Sequence, residues 1–177
     1  MQKKSFDEYY QPAEDTFFLA DYIQNEKGGA ALDIGTGSGF LAKVLSDKFE
    51  LVVSTDINPN ALKKARDVVE NCICCNAADG LNCDFDLVVC NLPYLPSEKI
   101  IDPTTDGLLE GLGVTTNIIK SASNVVKKNG KLVYLTSSLA NYLELIRRTE
   151  SLGFSAKITA KKKLFFEELV LVECIKL

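Results

Sequence analysis

The sequence contains no histidine, and it lacks any apolar run close to the ~20 residues that a membrane-spanning helix needs. Two lysines stand near its start, but acidic and aromatic residues follow them where a signal peptide would have an apolar stretch. Because nothing directs the chain to export or to a membrane, we predict a cytoplasmic protein. Without histidine, the most common general base is unavailable and the usual partner of cysteine in zinc sites is missing.

Positive charge is also scarce. The chain has 20 lysine and arginine residues against 24 aspartate and glutamate residues, a net charge of −4. High affinity for bare duplex nucleic acid normally comes from a clustered basic surface, which this balance disfavours. The one strong basic run is Lys161-Lys162-Lys163, and it is more typical of a solvated turn than of a phosphate-binding patch.

The cysteine pattern disfavours both a disulfide framework and a metal site. Cys72 and Cys75 form a C-x-x-C pair, but no second pair stands at a matching spacing. Most of the cysteines lie in apolar, strand-like sequence, which predicts reduced and buried thiols. We therefore predict no metal. The six cysteines are Cys72, Cys74, Cys75, Cys83, Cys90 and Cys174.

The apolar pattern predicts an α/β fold. A chain of 177 residues fits one domain, which we place at residues 1–177, with 1–28 as an N-terminal helical lead-in. Short β-branched runs alternate with helix-like stretches, which indicates a mostly parallel sheet with helices on both faces. After Gly153 the pattern predicts a closing antiparallel hairpin of two strands, 154–160 and 164–175, joined by the lysine run. The other predicted strands are 30–34, 51–55, 72–77, 85–90 and 130–136, and the predicted helices lie near 16–26, 38–48, 59–70, 114–128 and 138–151.

A glycine-rich turn after the first predicted strand indicates a nucleotide-like cofactor. In the run 35–39, Gly-Thr-Gly-Ser-Gly, Gly35 and Gly37 permit a tight turn and let a ligand approach the backbone. Asp56 ends the second strand, where an acidic side chain can accept hydrogen bonds from both ribose hydroxyls. Asp33 precedes the turn, and its carboxylate suits the cationic amino-acid end of S-adenosyl-L-methionine but would repel a pyrophosphate. These residues favour methyl transfer over hydride transfer.

Asp79-Gly80 follows the third predicted strand. Asp79 is a candidate acceptor for the adenine amino group, and Gly80 would let the ring approach. The alternative is structural, because Asp-Gly is a common turn pair.

The segment Asn91-Leu92-Pro93-Tyr94 ends the fourth predicted strand, at the carboxyl edge of the sheet beside the first strand. An asparagine side chain offers both a donor and an acceptor, so it can bind a planar NH2 group, and a neighbouring carbonyl can accept the second hydrogen. Pro93 sets the turn, and Tyr94 supplies a ring for stacking. The alternative is an ordinary proline-containing turn with a half-buried tyrosine.

With these motifs the chain resembles the HemK-like class of Asn-Pro-Pro-Tyr methyltransferases, and within it the short archaeal and eukaryotic type that methylates a glutamine of peptide-chain release factors. The resemblance extends over nearly the whole chain, and its most particular mark is residues 10–16, which are similar to the Tyr-x-Pro-Ala-Glu-Asp-Thr segment of that branch. It implies a Rossmann-like class I methyltransferase fold with a seven-stranded sheet and bound S-adenosyl-L-methionine. The residues that fall on cofactor positions of the family are Thr16, Asp33, Gly35, Gly37, Asp56, Asp79 and Asn91.

By resemblance, the substrate is the glutamine of a Gly-Gly-Gln loop, methylated on its side-chain nitrogen. The catalytic segment is then Asn91 to Tyr94, in which the Asn91 side chain and the Leu92 carbonyl would hold the two amide hydrogens and aim the nitrogen at the methyl group. The sequence departs from the family at two places. Leu92 replaces the first proline, which leaves the carbonyl available but makes the turn less rigid. Residues 106–111 follow the family's glycine-rich loop only loosely.

Other functions fit part of this pattern. The same Asn-x-Pro-Tyr segment suits the exocyclic amine of a base, so adenine N6 or guanine N2 methylation in RNA or DNA is the main alternative, although a flipped base would still need backbone binding. A protein-lysine methyltransferase and a non-catalytic partner-binding subunit are further alternatives.

Members of the short type commonly work with a small zinc-binding activator protein. The stretch 72–77 is a candidate docking strand for such a partner, because an open apolar edge strand invites pairing with another chain. The alternative is an ordinary interior strand.

Overall fold

The computed structural model describes residues 11–93 and 109–177, which contain five helices and seven strands. The strands are β1 (Gly28–Ile34), β2 (Phe49–Asp56), β3 (Asn71–Cys74), β4 (Phe85–Asn91), β5 (Val126–Ser137), β6 (Phe154–Lys163) and β7 (Glu168–Lys176). The helices are α1 (Glu14–Ile23), α2 (Phe40–Ser46), α3 (Pro59–Ala65), α4 (Leu109–Ser123) and α5 (Tyr142–Ser151).

The seven strands form one sheet in the order β3-β2-β1-β4-β5-β7-β6. Strands β1 to β5 run parallel, and β7 pairs antiparallel with both β5 and β6. The predicted seven-stranded, mostly parallel sheet with a closing antiparallel hairpin is therefore confirmed. Because β1 lies between β2 and β4, the strand order reverses there, and a crevice opens outside the carboxyl ends of these strands.

Helices cover both faces of the sheet. Alternate residues of a strand point to opposite faces, so neighbouring positions pack against different helices. Leu32 and Leu132 belong to a buried cluster that includes side chains of α4 and α5. Ala31 and Val133, one position away in each strand, belong to a second buried cluster that includes side chains of α1 and α2. The central strands are thus buried on both faces, as their nearly continuous apolar sequences indicate.

Local capping sets the helix starts more sharply than apolar periodicity does. Asn58 accepts a hydrogen bond from the Asn60 amide and Pro59 occupies the first turn, so α3 begins where predicted. Asn141 caps α5 by accepting a hydrogen bond from the Glu144 amide at 3.3 Å. The prediction of a helix from residue 138 was therefore wrong by four positions.

Several predicted elements end elsewhere. Helix α3 stops at Ala65 rather than at residue 70 because the chain turns over 66–68, which buries Val69 and leaves Val68 exposed. Strand β3 ends at Cys74 rather than at residue 77, because the chain bends away and reaches a positive φ of 47° at Ala77. Helix α4 ends at Ser123, so β5 starts four residues before the predicted position.

The lysine run lies in strand β6 and not in the turn of the hairpin, which corrects the prediction of a solvated turn. Lys161 forms an ion pair with Glu168 at 2.8 Å, and Lys162 contacts Glu14 at the start of α1. The two residues that form the hairpin tip are Phe165 and Phe166 instead.

The six cysteines are all free thiols, but only Cys90 and Cys174 are buried. Cys74 and Cys83 are exposed, which corrects the prediction of buried thiols at those positions. In the part of the chain that the structure describes, no cluster of cysteine, aspartate and glutamate side chains is arranged to hold a metal ion. No helix of that part is long and apolar enough to cross a membrane.

Candidate active site

The glycine-rich turn connects β1 to α2 at the crevice. The amides of Gly35 and Thr36 both donate to the Thr55 carbonyl of β2, at 2.8 and 3.0 Å. Gly35, Gly37 and Gly39 have φ angles of 72°, 54° and 83°, which residues with a side chain rarely adopt. A Cβ atom on Gly35 would meet nothing within 4 Å, so the turn leaves open space at this point for a ligand.

Asp33 lies beneath the turn and is fully buried. Its Oδ2 accepts hydrogen bonds from the Thr36 hydroxyl at 2.6 Å and from the Ala42 amide at 3.2 Å, so it ties the turn to α2. Its Oδ1 is buried without a partner among the residues described. Burial raises the pKa of Asp33 to about 6, against an ordinary value of 3.8. Because no part of the carboxylate reaches the surface, it would act on a ligand only through its charge.

Asp56 lies at the end of β2, on the opposite side of the turn. Its Oδ2 accepts a hydrogen bond from the Gly37 amide at 2.9 Å, and its Oδ1 accepts one from the Asn58 amide at 2.8 Å. Each carboxylate oxygen has a further lone pair, so both can accept a hydrogen bond from a ligand hydroxyl. Asp56 is only half-buried, which keeps those lone pairs accessible.

Asp79 lies in the connection between β3 and β4 and is exposed. Its carboxylate accepts hydrogen bonds from the Ser121 hydroxyl of α4 and from the Asn76 side chain. The same Ser121 oxygen accepts a hydrogen bond from the Ala78 amide at 3.0 Å, which ties the connection to α4. Gly80 is exposed beside it.

Asn91 ends β4 beside the glycine turn. Its Nδ2 donates to the Asp15 Oδ2 of α1 at 2.9 Å. A carboxylate oxygen accepts hydrogen bonds, so this contact requires the amide nitrogen to face Asp15 and the amide oxygen to face away. That oxygen, Oδ1, is buried and has no hydrogen-bond partner in the described segments. An acceptor in this state costs about 1–3 kcal/mol unless a ligand satisfies it.

Asp15 is itself held in place. Its Oδ1 accepts a hydrogen bond from the Thr16 amide at 2.6 Å and a longer one from the Thr16 hydroxyl at 3.3 Å. The carboxylate therefore connects the start of α1 to the end of β4, two places that are far apart in the sequence.

The residues after Asn91 continue along the carboxyl edge of the sheet. The Leu92 amide donates to the Leu135 carbonyl of β5 at 3.1 Å, and its side chain is 1% exposed. The leucine side chain thus fills the core where the family has a proline, and Pro93 is exposed. Tyr94 and residues 106–108 lie outside the described residues.

Four of the predicted site residues line one cleft, which encloses about 320 Å3 including its open mouth. They come from α1, the glycine turn and β4, and they are Thr16, Gly35, Gly37 and Asn91. Asp33 lies under the cleft floor, and Asp56 is linked to the floor through the Gly37 amide. Asp79 and Gly80 do not line this cleft, so a cofactor that reached all these residues would extend beyond it along the sheet edge.

Two positioning contacts were not predicted from the sequence. The Asp15–Asn91 hydrogen bond joins residues 76 positions apart, and the Ser121–Asp79 hydrogen bond joins residues 42 positions apart. Asp15 belonged to the recognised segment 10–16, and that position was the one signal that could have suggested a role. Pro12, which also lines the cleft, belongs to the same segment, whereas Phe40 and Leu41 gave no signal beyond their apolar character.

The residues present fit a cofactor that is cationic at one end and carries a ribose. An unpartnered buried carboxylate oxygen lies under the glycine turn at Asp33, and open space lies above Gly35. A second carboxylate, Asp56, ends the adjacent strand with accessible lone pairs. S-adenosyl-L-methionine has a cationic amino-acid end and a ribose with two hydroxyls, so it matches this donor and acceptor set.

Known proteins are similar to this chain in sequence and in fold. The family described as methyltransferase small domain matches residues 13–165. A Methanocaldococcus jannaschii protein, provisionally named a protein N5-glutamine methyltransferase, is 32% identical over 96% of this chain and 93% of its own length. Methyltransferase HEMK2 of Mus musculus is 31% identical over 82% of this chain and 78% of its own length.

A solved structure is also similar to this chain, in both sequence and fold. The structure of the E. cuniculi Mtq2–Trm112 complex, described as responsible for methylation of the eRF1 translation termination factor, contains a chain with 28% identity and a TM-score of 0.79. The match covers 97% of this chain and 100% of that chain. Together with the sheet order, it confirms the predicted class I methyltransferase fold.

Proposed function

This chain belongs to the methyltransferase small domain family, and from that membership we propose that it methylates the side-chain amide nitrogen of the glutamine in the Gly-Gly-Gln loop of a peptide-chain release factor. The observation that carries the proposal is the buried, unpartnered Oδ1 of Asn91 at the edge of the cleft. A glutamine amide supplies the NH2 group that this acceptor lacks.

S-adenosyl-L-methionine would supply an electrophilic methyl group. Thr16, Gly35 and Gly37 would line its site, and Asp56 would accept hydrogen bonds from its ribose hydroxyls. Asp33 would stabilise its cationic amino-acid end from below, and Asp79 with Gly80 would border the adenine.

Positioning is the main task of the protein residues, because an amide nitrogen is a poor nucleophile whose lone pair is delocalised into the carbonyl. Asn91 Oδ1 would accept one hydrogen of the substrate amide, and the carbonyl of Leu92 would accept the other. These two contacts would fix the plane of the amide and direct its nitrogen towards the cofactor methyl. They would also strengthen as positive charge develops on the nitrogen, which favours the transition state over the bound substrate. Once the bond to the methyl group has formed, the nitrogen would release one of its two protons to water and become a neutral N-methyl amide, so no histidine base is needed.

Asp15 would make this arrangement possible. Because its Oδ2 accepts from Asn91 Nδ2, the Asn91 amide cannot rotate and present its NH2 group to the substrate. A carboxylate partner also polarises the asparagine amide and makes Oδ1 a better acceptor. The pair thus acts as one unit, with Asp15 as the positioning residue and Asn91 as the group that touches substrate.

Methylation of an adenine N6 or guanine N2 amine remains the second candidate, because the same acceptor pair suits a base amine. The net charge of −4 makes it the weaker one. A protein lysine fits less well, because a cationic amine must lose a proton before it can attack, and the chain has no histidine to accept it.

We further propose that a small activator protein binds the β3 edge of the sheet, as the relative in the Mtq2–Trm112 complex suggests. Strand β3 is an edge strand, and its connection to β4, residues 75–84, contains turns but no helix. A helix normally covers such a parallel crossover. Here Leu51 and Ile73, which lie on the same face by register, are 41% and 38% exposed. Failure of the chain to co-purify with such an activator would contradict this proposal.

The test of the function is transfer of labelled methyl from S-adenosyl-L-methionine to a purified release factor, with and without Gln→Ala in its Gly-Gly-Gln loop. Total tRNA and DNA are assayed in parallel, each with and without the activator. Asn91→Ala tests the site, and Asn117→Ala, an exposed asparagine of α4, is the matched control.

We expect label on the release factor that disappears with the Gln→Ala substrate and with Asn91→Ala, but persists with Asn117→Ala. Label confined to nucleic acid would transfer the same site chemistry to a base amine. Label that survives Asn91→Ala would show that the acceptor pair does not hold the substrate.

A further inference from the structure

The tip of the β6–β7 hairpin carries two phenylalanines with no role in the core. Phe165 is 90% exposed and Phe166 is 86% exposed, and their rings meet edge to face with centroids 4.6 Å apart. Scattered single apolar side chains are ordinary on protein surfaces, but two adjacent aromatic rings this exposed form a patch. Folding gains almost nothing from them.

Turn geometry does not call for these residues either. The tip is closed by the Leu164 amide, which donates to the Glu167 carbonyl at 2.8 Å and leaves Phe165 and Phe166 as the two central residues. Neither phenylalanine has a positive φ, so the tip is not one of the turns that require glycine, asparagine or aspartate. It does not require an aromatic side chain either. The backbone of the tip therefore accepts many residue types, and it does not account for two adjacent exposed aromatic rings.

The hairpin tip lies at the same edge of the sheet as the candidate active site. Asn91 of β4 pairs with Leu135 of β5, and Ser137, two residues further along β5, pairs with Leu169 near the start of β7. Lys163 and Glu168 form the last pair between β6 and β7, so the tip begins one residue beyond Leu169 at the same end of the sheet. Three strand spacings separate β4 from β6, about 14 Å to the side of Asn91. Glu168 lies three residues beyond Leu171, the residue opposite Leu135, which adds about 10 Å along the strands and places the tip at least about 17 Å from Asn91.

The tip is also tied to the elements of the site. Lys162 contacts Glu14, the residue before Asp15 on α1. On the other strand, the Glu168 amide donates to the Ser138 hydroxyl at 2.9 Å, and the Ser138 amide donates to the Glu168 carbonyl at 2.8 Å. The two phenylalanines are thus presented on a hairpin anchored to α1 and to the end of β5.

This separation indicates what kind of molecule meets the tip. A glutamine side chain in the cleft cannot span about 17 Å, nor would a small substrate reach both places. A protein-sized contact can, because a typical interface of ~800 Å2 per partner has a diameter of about 32 Å. Aromatic side chains are the residues most enriched among energetically dominant contacts in such interfaces.

We propose that Phe165 and Phe166 form a docking contact for the protein that carries the methyl-accepting glutamine, outside the cleft in which that glutamine reacts. This rests on the proposed function, since the partner is the release factor itself. The hairpin binds the folded substrate and contributes to its affinity, while the chemistry stays with Asn91 and Leu92.

The test compares steady-state methylation of the release factor by the wild-type chain and by the double variant Phe165→Ala/Phe166→Ala, both with activator present. We expect KM for the release factor to rise about tenfold or more, with kcat within about twofold, because the lost contact lies outside the reacting groups. KM for S-adenosyl-L-methionine should not change. Phe165→Tyr/Phe166→Tyr keeps the aromatic faces and should retain the wild-type KM.

Leu177→Ala is the matched control, because Leu177 is 70% exposed and follows β7 at the opposite edge of the sheet. An unchanged KM in the double alanine variant would overturn the docking proposal while leaving the proposed function intact. If, in addition, wild type but not the variant co-sedimented with phosphatidylglycerol vesicles, the tip would be a membrane contact instead. No transfer from wild type to the release factor would refute the proposed function, and the docking proposal with it.

Discussion

Replacing Asp33 with asparagine should stabilise the unliganded protein at neutral pH and weaken its binding of the cofactor. Asp33 is fully buried, and its Oδ1 has no partner in the described residues. The ionised form of its side chain therefore lowers the free energy of unfolding. Asparagine has the same shape and no charge. Its Oδ1 can still accept from the Thr36 hydroxyl and the Ala42 amide, the two contacts that Asp33 Oδ2 makes.

The pKa of Asp33 gives the magnitude. It is raised from 3.8 to about 6 by burial, and each pKa unit corresponds to 1.36 kcal/mol, so ionised Asp33 costs about 3 kcal/mol. Removing the charge would recover this cost. The NH2 group of asparagine would occupy the position of the unpartnered oxygen, and burying it without a partner would cost about 1–2 kcal/mol. The net gain is about 1–2 kcal/mol, which for a chain of this size raises Tm by about 4 °C.

The effect of pH has a definite sign. Between pH 3.8 and about 6 the folded state holds a proton on Asp33 that the unfolded state has released, so wild-type stability from this group falls as pH rises through that window. Above pH 6 the cost is complete, and near pH 4 it has almost gone. Asp33→Asn should therefore exceed wild type in Tm at pH 7.5 and lose that advantage at pH 4.5.

The assay is thermal unfolding of both proteins at the two pH values, with and without S-adenosylhomocysteine, which keeps the positively charged ammonium group of the amino-acid end. The ligand should raise the Tm of wild type more than that of the variant, because only wild type has the buried negative charge. Equal Tm differences at pH 4.5 and 7.5 would refute the account of the buried carboxylate. Equal ligand shifts would refute its role towards the cofactor.

Two other predictions follow from the site geometry. Asp15→Asn should lower kcat about 100-fold with a far smaller change in cofactor affinity, because Asn91 can then turn its NH2 group towards the substrate. Single-turnover rates measure the first effect and equilibrium binding measures the second. An unchanged single-turnover rate would exclude the positioning role of Asp15. Gly39→Ala should destabilise the fold by about 2–3 kcal/mol, because a Cβ would lie 2.8 Å from Val68 Cγ2 at a positive φ. Gly35→Ala, whose Cβ meets open space, should cost only about 1 kcal/mol in denaturant unfolding but should weaken cofactor binding; similar unfolding costs for both glycine variants would contradict this distinction.

The sheet was predictable because short, continuous stretches of sequence identify its strands and turns. Each parallel strand is a short apolar run, and each functional turn follows such a run directly, as Gly35 follows β1 and Asn91 ends β4. Parallel strands place these turns at a common edge, so the site could be located from chain order alone. That Thr16, Gly35, Gly37 and Asn91 line one cleft agrees with this reasoning, while their roles stay predictions.

Contacts between distant segments were not predictable. Nothing in the neighbourhood of Asp15 indicates that its carboxylate reaches β4, and nothing near Ser121 indicates that its hydroxyl holds Asp79. These contacts depend on how α1 and α4 lie on the sheet, which sequence periodicity does not specify.

Local chemistry also misled at element ends. Apolar periodicity continues through Val68 and Val69, so a helix to residue 70 was predicted, although the chain turns at 66–68. Three consecutive lysines indicated a turn, yet cross-strand pairing and ion pairs keep them in β6. In both cases the tertiary environment outweighed the local preference.

The place of β7 in the sheet has a consequence for how the protein is made. β7 is the last strand in chain order, but it lies between β5 and β6 and pairs with both, with the core residues Val170 and Val172 fully buried. During synthesis the side of β5 that pairs with β7 therefore stays open until Glu168–Lys176 have been made. A nascent chain halted before β7 would expose an unpaired apolar edge and be prone to aggregation. We therefore expect the glycine turn and Asn91, although encoded early, to become a stable site only once this strand is inserted.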